Sequence, residues 1–179
     1  MRSLETVRLL LRPFAAQDAE AVFTVIGDAE AMRWYPVVFQ RPDADEWIAR
    51  NRKRYQADGF GLCAVVLKQT GEVIGDCGLT LQDIDRDPQV EVGYHLRRDC
   101  WGHGFATEAT RRWMNYGFAE LRLKQVVSFI RPENLPSRRV AERNGMHLER
   151  QIVRAGLVHD VWAITRGEFL ACGFGRDAI

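Results

Sequence analysis

Apolar and polar residues alternate with a period of two in several stretches of this chain, a pattern typical of strands whose two faces differ. In the clearest stretch, residues 90–97, valine, tyrosine and leucine alternate with glutamate, glycine, histidine and arginine. Two glycine-containing turns, 68–72 and 155–156, predict hairpins, and the polar residues 83–88 are expected to link two strands. The other predicted strands lie at 6–13, 61–67, 73–81, 125–130, 148–154 and 159–165.

Four other stretches carry apolar residues at helical spacing. Asp18 places a carboxylate at the start of the first predicted helix, where the helix dipole favours a negative charge. Asp43 or Asp45 is expected to cap the second helix and Ser137 the fourth, because their side-chain oxygens accept hydrogen bonds from unpaired helical N–H groups. The predicted helices cover 18–26, a stretch from 43 or 45 to 55, 104–121, and 137 to the Asn144-Gly145 stop signal.

These elements predict a mixed, mostly antiparallel sheet of six or seven strands with helices on both faces. Strand 125–130 follows a strand and a helix, so it should lie parallel to strand 90–97 through a right-handed crossover. We find no repeat, low-complexity tract or linker in the sequence. The predicted fold class is therefore α+β in three layers, with one domain over residues 1–179.

Composition narrows the functional classes. The 179 residues include 25 Lys and Arg against 24 Asp and Glu, a formal net charge of +1, which offers no general attraction for nucleic acid or an anionic membrane. The four cysteines form no C-x-x-C pair and have no histidine at zinc-ligand spacing, so we expect reduced thiols and no metal. No apolar run approaches the roughly 20 residues that span a bilayer, and no export signal is evident. We therefore expect a cytoplasmic protein.

The segment Trp101-Gly-His-Gly-Phe-Ala106 joins strand 90–97 to the third helix. Backbone N–H groups at a helix start lack intrahelical partners and lie at the positive end of the helix dipole, so small residues there let an anion approach closely. The segment fits a phosphate group. Two glycines could instead serve only to make a turn, and their spacing alone does not separate these interpretations.

This segment resembles the acetyl-coenzyme A (acetyl-CoA) binding core of the GNAT superfamily of N-acetyltransferases, whose pyrophosphate loop reads Gln/Arg-x-x-Gly-x-Gly/Ala. The matching positions are Trp101, Gly104 and Ala106. The tryptophan departs from that pattern, but Trp-Gly-x-Gly-Phe/Tyr-Ala-Thr-Glu-Ala is typical of the branch that resembles ribosomal-protein N-acetyltransferases. The resemblance covers nearly the whole chain and implies the GNAT fold, in which the two parallel strands splay apart and admit the pantetheine arm of acetyl-CoA.

The resemblance also implies roles for individual residues. Glu91 is the first candidate for the general base, or else caps a structural network, and His95 is the second candidate. Asn134 and Ser137 match the family's Asn-x-x-Ser pattern; Ser137 is expected to hydrogen-bond the departing sulfur, to cap its helix, or both. The residues expected to bind acetyl-CoA are Tyr94, His95, Leu96, Arg97, Trp101, Gly102, His103, Gly104, Phe105, Ala106, Thr107, Asn134, Ser137 and Arg139.

The acceptor is less constrained by the sequence. Trp34, Tyr35 and Asp160 are candidate acceptor contacts, and the basic cluster at 50–54 is either a solvated helix face or a surface for an acidic acceptor. We expect an N-acetyltransferase that acts on a protein N-terminal α-amine or a small-molecule amine. The alternative is a non-catalytic acyl-CoA sensor or scaffold domain. Dimers are common in this family, so a homodimer is possible.

Overall fold

The computed structural model of the protein describes residues 1–37, 39–84 and 87–176. Within them, eight strands form one sheet in the order β1-β2-β3-β4-β5-β6-β8-β7, and every neighbouring pair is antiparallel except β5 and β6. The sequence predicted six or seven strands; the strand that it missed is the two-residue β1, which pairs Leu4 with Leu11. The strands are β1 Leu4–Glu5, β2 Leu9–Arg12, β3 Leu62–Leu67, β4 Val73–Ile84, β5 Asp87–Leu96, β6 Gln125–Ile130, β7 His147–Arg154 and β8 Leu157–Thr165.

Helices cover both faces of the sheet, as predicted. The alternating side chains of β3 show this directly. Leu62, Ala64 and Val66 pack with residues of α1 and α2, whereas Cys63 and Val65 pack in the core cluster that contains residues of α3. Both faces of β3 are therefore buried, which explains its continuous apolar run. The helices are α1 Ala19–Ile26, α2 Arg41–Ala57, α3 Phe105–Ala119, α4 Leu135–Arg143 and α5 Arg166–Ala171.

Two predicted helix starts are wrong. Helix α2 begins at Arg41 after Gln40, and the carboxylate of Asp43, in the first turn, accepts the backbone N–H of Gln40. Helix α4 begins at Leu135, because the side chain of Asn134 accepts the backbone N–H of Ser137 at 3.2 Å. Asparagine is as good an N-cap as serine, so the hydroxyl of Ser137 is free for another partner.

The predicted polar link at 83–88 is also shorter than expected. Strand β4 continues to Ile84 and β5 starts at Asp87, with Ile84 paired to Asp87. Residues 85 and 86 lie outside the described residues. Asp83 and Asp87 are exposed, and strand pairing at this solvent-facing end does not need apolar residues.

Strands β5 and β6 are parallel but scarcely paired. Their register contains one pair, Glu91 with Val127, whereas β5 pairs with β4 along its whole length from Asp87 to Leu96. The two strands therefore diverge beyond Glu91, and backbone groups on their facing edges need partners other than each other. This gap positions the candidate site. Among the described residues, no helix is long and apolar enough to cross a bilayer.

Candidate active site

A cavity of about 800 Å³ extends from the start of α3, through the gap between β5 and β6, to the segment that follows α1. Its walls come from β5, β6, both helix starts after those strands, and the turn between β7 and β8. Most of the predicted site residues line this one cavity. They are Trp34, Tyr35, Glu91, Tyr94, His95, Leu96, Trp101, Gly102, Gly104, Phe105, Ala106, Thr107, Asn134, Ser137 and Arg139.

The loop before α3 has the geometry of an anion site. Gly102 and Gly104 have φ values of 79° and 80°, a left-handed conformation that disfavours other residues. Gly104 is the N-cap of α3, so the unpaired N–H groups of the first turn follow it directly. The hydroxyl of Thr107, in that turn, is buried and has no hydrogen-bond partner within the described residues. These donors fit a diphosphate, and Arg139 and Arg143 line the same cavity.

Contacts between distant parts of the chain hold this loop in place. Arg8, on the β1–β2 connection, donates from Nε to Glu108 of α3 at 2.6 Å and from Nη1 to the carbonyl of His103 at 2.9 Å. Thr6 also donates to Glu108. Burial alone would raise the pKa of Glu108, but these hydrogen bonds hold it below its ordinary value. Sequence reasoning missed this clamp, because Arg8 and Glu108 are 100 residues apart.

Trp101 has a structural role in the same loop. Its indole Nε1 donates to the carbonyl of Leu96 at 2.8 Å, at the end of β5. The indole therefore ties the loop to the strand. The indole N–H is thus occupied, and the backbone N–H groups are the donors of the loop that could bind an anion.

Glu91 lies where β5 and β6 begin to diverge. Its carboxylate accepts from Gln82 Nε2 at 2.7 Å and from Thr80 Oγ1 at 3.4 Å. Burial raises the pKa of Glu91 above its ordinary value, although the guanidinium of Arg154 and the amide of Gln82 oppose that rise. A carboxylate with a raised pKa is better matched to accept a proton near neutral pH.

Tyr94 and Ser137 form a hydroxyl pair across the cavity. The Tyr94 hydroxyl lies 2.7 Å from Ser137 Oγ and donates to the Ser137 carbonyl at 3.1 Å. Burial raises the pKa of Tyr94 well above its ordinary value. Tyr94 therefore keeps its proton at neutral pH and can act as a hydrogen-bond donor.

The imidazole of His95 is fixed at both nitrogens. Nδ1 is 2.7 Å from Asp76 Oδ1, and Nε2 is 2.5 Å from the hydroxyl of Tyr35. The indole Nε1 of Trp47 donates to the other oxygen of Asp76 at 2.8 Å. Burial alone would lower the pKa of His95, but the charge and hydrogen bond of Asp76 raise it. Sequence reasoning missed Asp76, which lies on β4 opposite His95.

Three predicted site residues do not line the cavity. Arg97 pairs with Asp99 at 2.7 Å, and His103 hydrogen-bonds the carbonyl of Trp101 at 2.8 Å. Asp160 is buried and accepts from Gln151 at 2.8 Å. Successive residues of a strand point to opposite faces, and on β8 it is the neighbouring His159 that lines the cavity.

Neither a reactive thiol nor a metal site is found among the described residues of the cavity. All four cysteines are free, and burial raises the pKa of Cys100, which lines the cavity, so it is a weak nucleophile. Within the described ranges, no group of three or more His, Cys, Asp or Glu residues could hold a metal ion.

Comparison with known proteins identifies the family. A family model described as "Acetyltransferase (GNAT) domain" matches residues 8–147 of the chain. The chain belongs to the GNAT acetyltransferases. This membership confirms the predicted resemblance and the predicted fold. GNAT enzymes take their acetyl group from acetyl-CoA, so the chain is an acetyl-CoA-dependent N-acetyltransferase.

Individual GNAT relatives agree with this assignment. The "Uncharacterized N-acetyltransferase p20" of Bacillus licheniformis is 34% identical over 142 residues, which span 76% of this chain and 78% of p20. The crystal structure of a GNAT acetyltransferase from Bacillus anthracis has a TM-score of 0.79 at 26% identity and covers 92% of this chain and 99% of its own. RimJ of Mycobacterium smegmatis, solved with CoA-disulfide, has a TM-score of 0.74 at 21% identity, covering 96% and 94%. The last likeness shows the fold alone.

Proposed function

We propose that this GNAT enzyme transfers acetyl from acetyl-CoA to a primary amine by direct attack within a ternary complex. The acceptor is a protein N-terminal α-amine or a small-molecule amine. The observation that carries the proposal is the continuity of the cavity, which joins the phosphate-binding loop before α3 to the carboxylate of Glu91. A cofactor held at one end would therefore present its thioester to a base at the other.

The loop and the diverging strands hold the cofactor in this proposal. Backbone N–H groups of Gly104, Phe105 and Ala106 and the hydroxyl of Thr107 bind the diphosphate, since they have the positive helix end behind them. Tyr94 to Leu96 and Asn134 supply polar groups along the gap. Backbone N–H groups near His95 and Leu96 stabilise the oxyanion that forms when the amine attacks.

Glu91 is the proposed general base, directly or through a water molecule. A primary amine must lose a proton before it attacks. At pH 7 that costs about 1 kcal/mol for an α-amine with a pKa near 7.8 and about 4.6 kcal/mol for a lysine-like amine near 10.4. His95 is less suited to direct proton transfer, because Asp76 and Tyr35 occupy both of its nitrogens. Both side-chain hydrogen bonds to Glu91 end on the same carboxylate oxygen, and the backbone of Phe129 also hydrogen-bonds the carboxylate. Each oxygen of a carboxylate can accept more than one hydrogen bond, so the group can still take a proton.

The hydroxyl pair of Tyr94 and Ser137 is proposed to receive the leaving thiolate. The two groups share a hydrogen bond at 2.7 Å, and either proton can turn to a sulfur atom in the cavity. A thiol with a pKa near 8.5 is already a good leaving group, so this donor is expected to help modestly. Because Asn134 caps α4, the hydroxyl of Ser137 is available for this role.

The acceptor end is proposed to lie between Trp34, Tyr35 and the turn between β7 and β8. Tyr35 is 43% exposed, yet its hydroxyl is held by His95, which Asp76 fixes in turn. This hydrogen bond holds Tyr35 against β5, and Met32 of the same segment is buried in the core cluster that contains residues of β3. Tyr35 thus forms a positioned wall for the acceptor beside Glu91.

Two measurements test the proposal. Calorimetric titration with acetyl-CoA is expected to show binding at micromolar concentrations, and thiol detection is expected to show CoA release with at least one acceptor of a broad amine and peptide panel. A sensor or scaffold domain would bind acetyl-CoA and release no thiol with any acceptor. Absence of binding at tens of micromolar would remove the proposed site altogether.

A further inference from the structure

The fold places the basic residues of cluster 50–54 on α2 in two different environments. Arg50 and Arg54, one helical turn apart, line the cavity, whereas Arg52 is exposed and lies outside its walls. A third guanidinium, Arg154 of β7, lines the cavity beside Glu91. Two of these three arginines therefore belong to a helix and one to a distant strand, and they reach the same end of the cavity.

None of these three arginines forms an ion pair within the described part of the chain. Arg154 donates to the neutral amide oxygen of Gln82 at 2.6 Å, and Arg54 donates to the neutral amide oxygen of Asn51 at 3.3 Å. Arg50 lies over the ring of Trp47 at 4.9 Å. Burial lowers the pKa of Arg54, and the nearby charge of Arg50 lowers it further. The guanidinium still stays protonated near neutral pH.

Few carboxylates balance these charges. The cavity wall contains two, Glu30 and Glu91, and Glu30 is already paired with Arg33 at 2.5 Å. Glu91 is therefore the one carboxylate of the described cavity wall without an ion-pair partner, against three guanidinium groups. Glu46 and Asp58 share a separate surface pocket with Arg50 and Arg54 and do not line this cavity. The cavity wall itself keeps an excess of positive charge at this end. Arg54 and Arg154 are partly buried, and a partly buried cation without a counter-charge is unfavourable unless a ligand supplies one.

The cofactor does not supply that charge. Its diphosphate fits the loop before α3, where Arg139 and Arg143 also lie, on the side of the gap away from α2. We infer that the acceptor amine itself carries an anionic oxygen group, a carboxylate or a phosphate, that Arg50, Arg54 and Arg154 bind while the amine faces Glu91. Guanidinium groups suit both anions because their N–H donors match two oxygens at once. This inference rests on the proposed acetyl transfer in this cavity.

Four short amines with different tails provide the test. Propylamine has an apolar tail, β-alanine a carboxylate, O-phosphoethanolamine a phosphate and 1,3-diaminopropane a second ammonium. Thiol release from acetyl-CoA is measured with each at low ionic strength. At least one anionic amine is expected to have a kcat/KM about tenfold or more above that of propylamine, since one charged hydrogen bond is worth about that factor. The diamine is expected to be the poorest acceptor, because its second ammonium would face the arginines. Whichever anionic amine is preferred identifies the group as carboxylate or phosphate.

Arginine variants connect the preference to this site. Arg50→Gln and Arg54→Gln are each expected to lower the ratio of kcat/KM for the preferred anionic amine to kcat/KM for propylamine about tenfold, while KM for acetyl-CoA stays unchanged. Arg52→Gln is the matched control on the same helix and is expected to behave as the unmodified protein. Arg50 is exposed, so its variant keeps the test valid if Arg54→Gln lowers stability.

The possible outcomes separate this inference from the proposed function. Equal or better turnover of propylamine or the diamine overturns the inference, and so does an Arg50→Gln variant with unaltered selectivity. Turnover of none of the four amines also overturns it, and the proposed function then still holds if another acceptor of the broad panel releases thiol. A rise in KM for acetyl-CoA in the arginine variants would assign these residues to the cofactor instead.

Discussion

Replacing Glu91 by glutamine removes a carboxylate while keeping nearly the same shape. Gln82 and Thr80 can still hydrogen-bond the side-chain oxygen. Because burial raises the pKa of Glu91, its ionised form is disfavoured in the folded protein as pH rises above its unfolded value. The Glu91→Gln variant is therefore expected to melt at the same temperature as the unmodified protein or higher, and to bind acetyl-CoA with unchanged affinity.

The substitution Glu91→Gln is expected to lower kcat. A positioned general base contributes typically a factor of about 10² to 10⁴, and we expect kcat at pH 7 to fall about 100-fold. The defect should depend on the acceptor and on pH. An α-amine with a pKa near 7.8 is mostly neutral by pH 9, so the variant should recover much of its rate there. A lysine-like amine is still mostly charged at pH 9, and the defect with it should persist.

The assay is thiol release from saturating acetyl-CoA between pH 6 and pH 9.5, with Glu91→Gln compared with Glu142→Gln, an exposed glutamate of α4. For the unmodified protein, the rate should increase as pH rises through the raised pKa of Glu91. Parallel pH profiles for the unmodified protein and Glu91→Gln would refute the assignment of Glu91 as base. If the Glu142→Gln variant shows the same defect, the loss of rate reflects a general loss of folded protein and not the removal of a base.

Four other substitutions test the cofactor loop, the Ser137 hydroxyl, the helix cap and a partly buried ion pair. Gly104→Glu is expected to abolish acetyl-CoA binding in calorimetry, because it strains a left-handed position and places a carboxylate among the phosphate donors; retained binding would place the phosphates elsewhere. Ser137→Ala should lower kcat by less than tenfold without changing the melting temperature, whereas Asn134→Ala should lose about 1 kcal/mol of unfolding free energy, because it removes the cap. Asp18→Asn should lose about 2 kcal/mol in urea unfolding at pH 7, since Arg12 donates to both Asp18 oxygens at 2.7 and 2.8 Å. Burial would raise the pKa of Asp18, but Arg12 lowers it, so the unmodified protein should lose this stability as pH falls below about 4, and the variant should not.

The sequence predicted those parts of the candidate site whose functional groups all lie in one short segment. The loop from Trp101 to Ala106 is such a segment, because its glycines and the following helix determine its backbone by themselves. The clamp between Arg8 and Glu108 was not predictable, since nothing in either local pattern indicates a partner about 100 residues away. Ser137 was misassigned as a cap because Asn134, an equally good cap residue three positions earlier, caps the helix in the structure.

Local pattern determined the elements of this protein and their order, because periods of two and of 3.6 residues follow from the backbone geometry of strands and helices. The parallel placement of β6 beside β5 followed from the strand–helix–strand order of β5, α3 and β6. Only tertiary structure decided which side chains share the cavity. Asp76 hydrogen-bonds His95 from the neighbouring strand, the charge of Arg154 on β7 acts on Glu91 of β5, and Asp160 does not line the cavity. These contacts depend on register and on strand divergence, which many distant residues determine together.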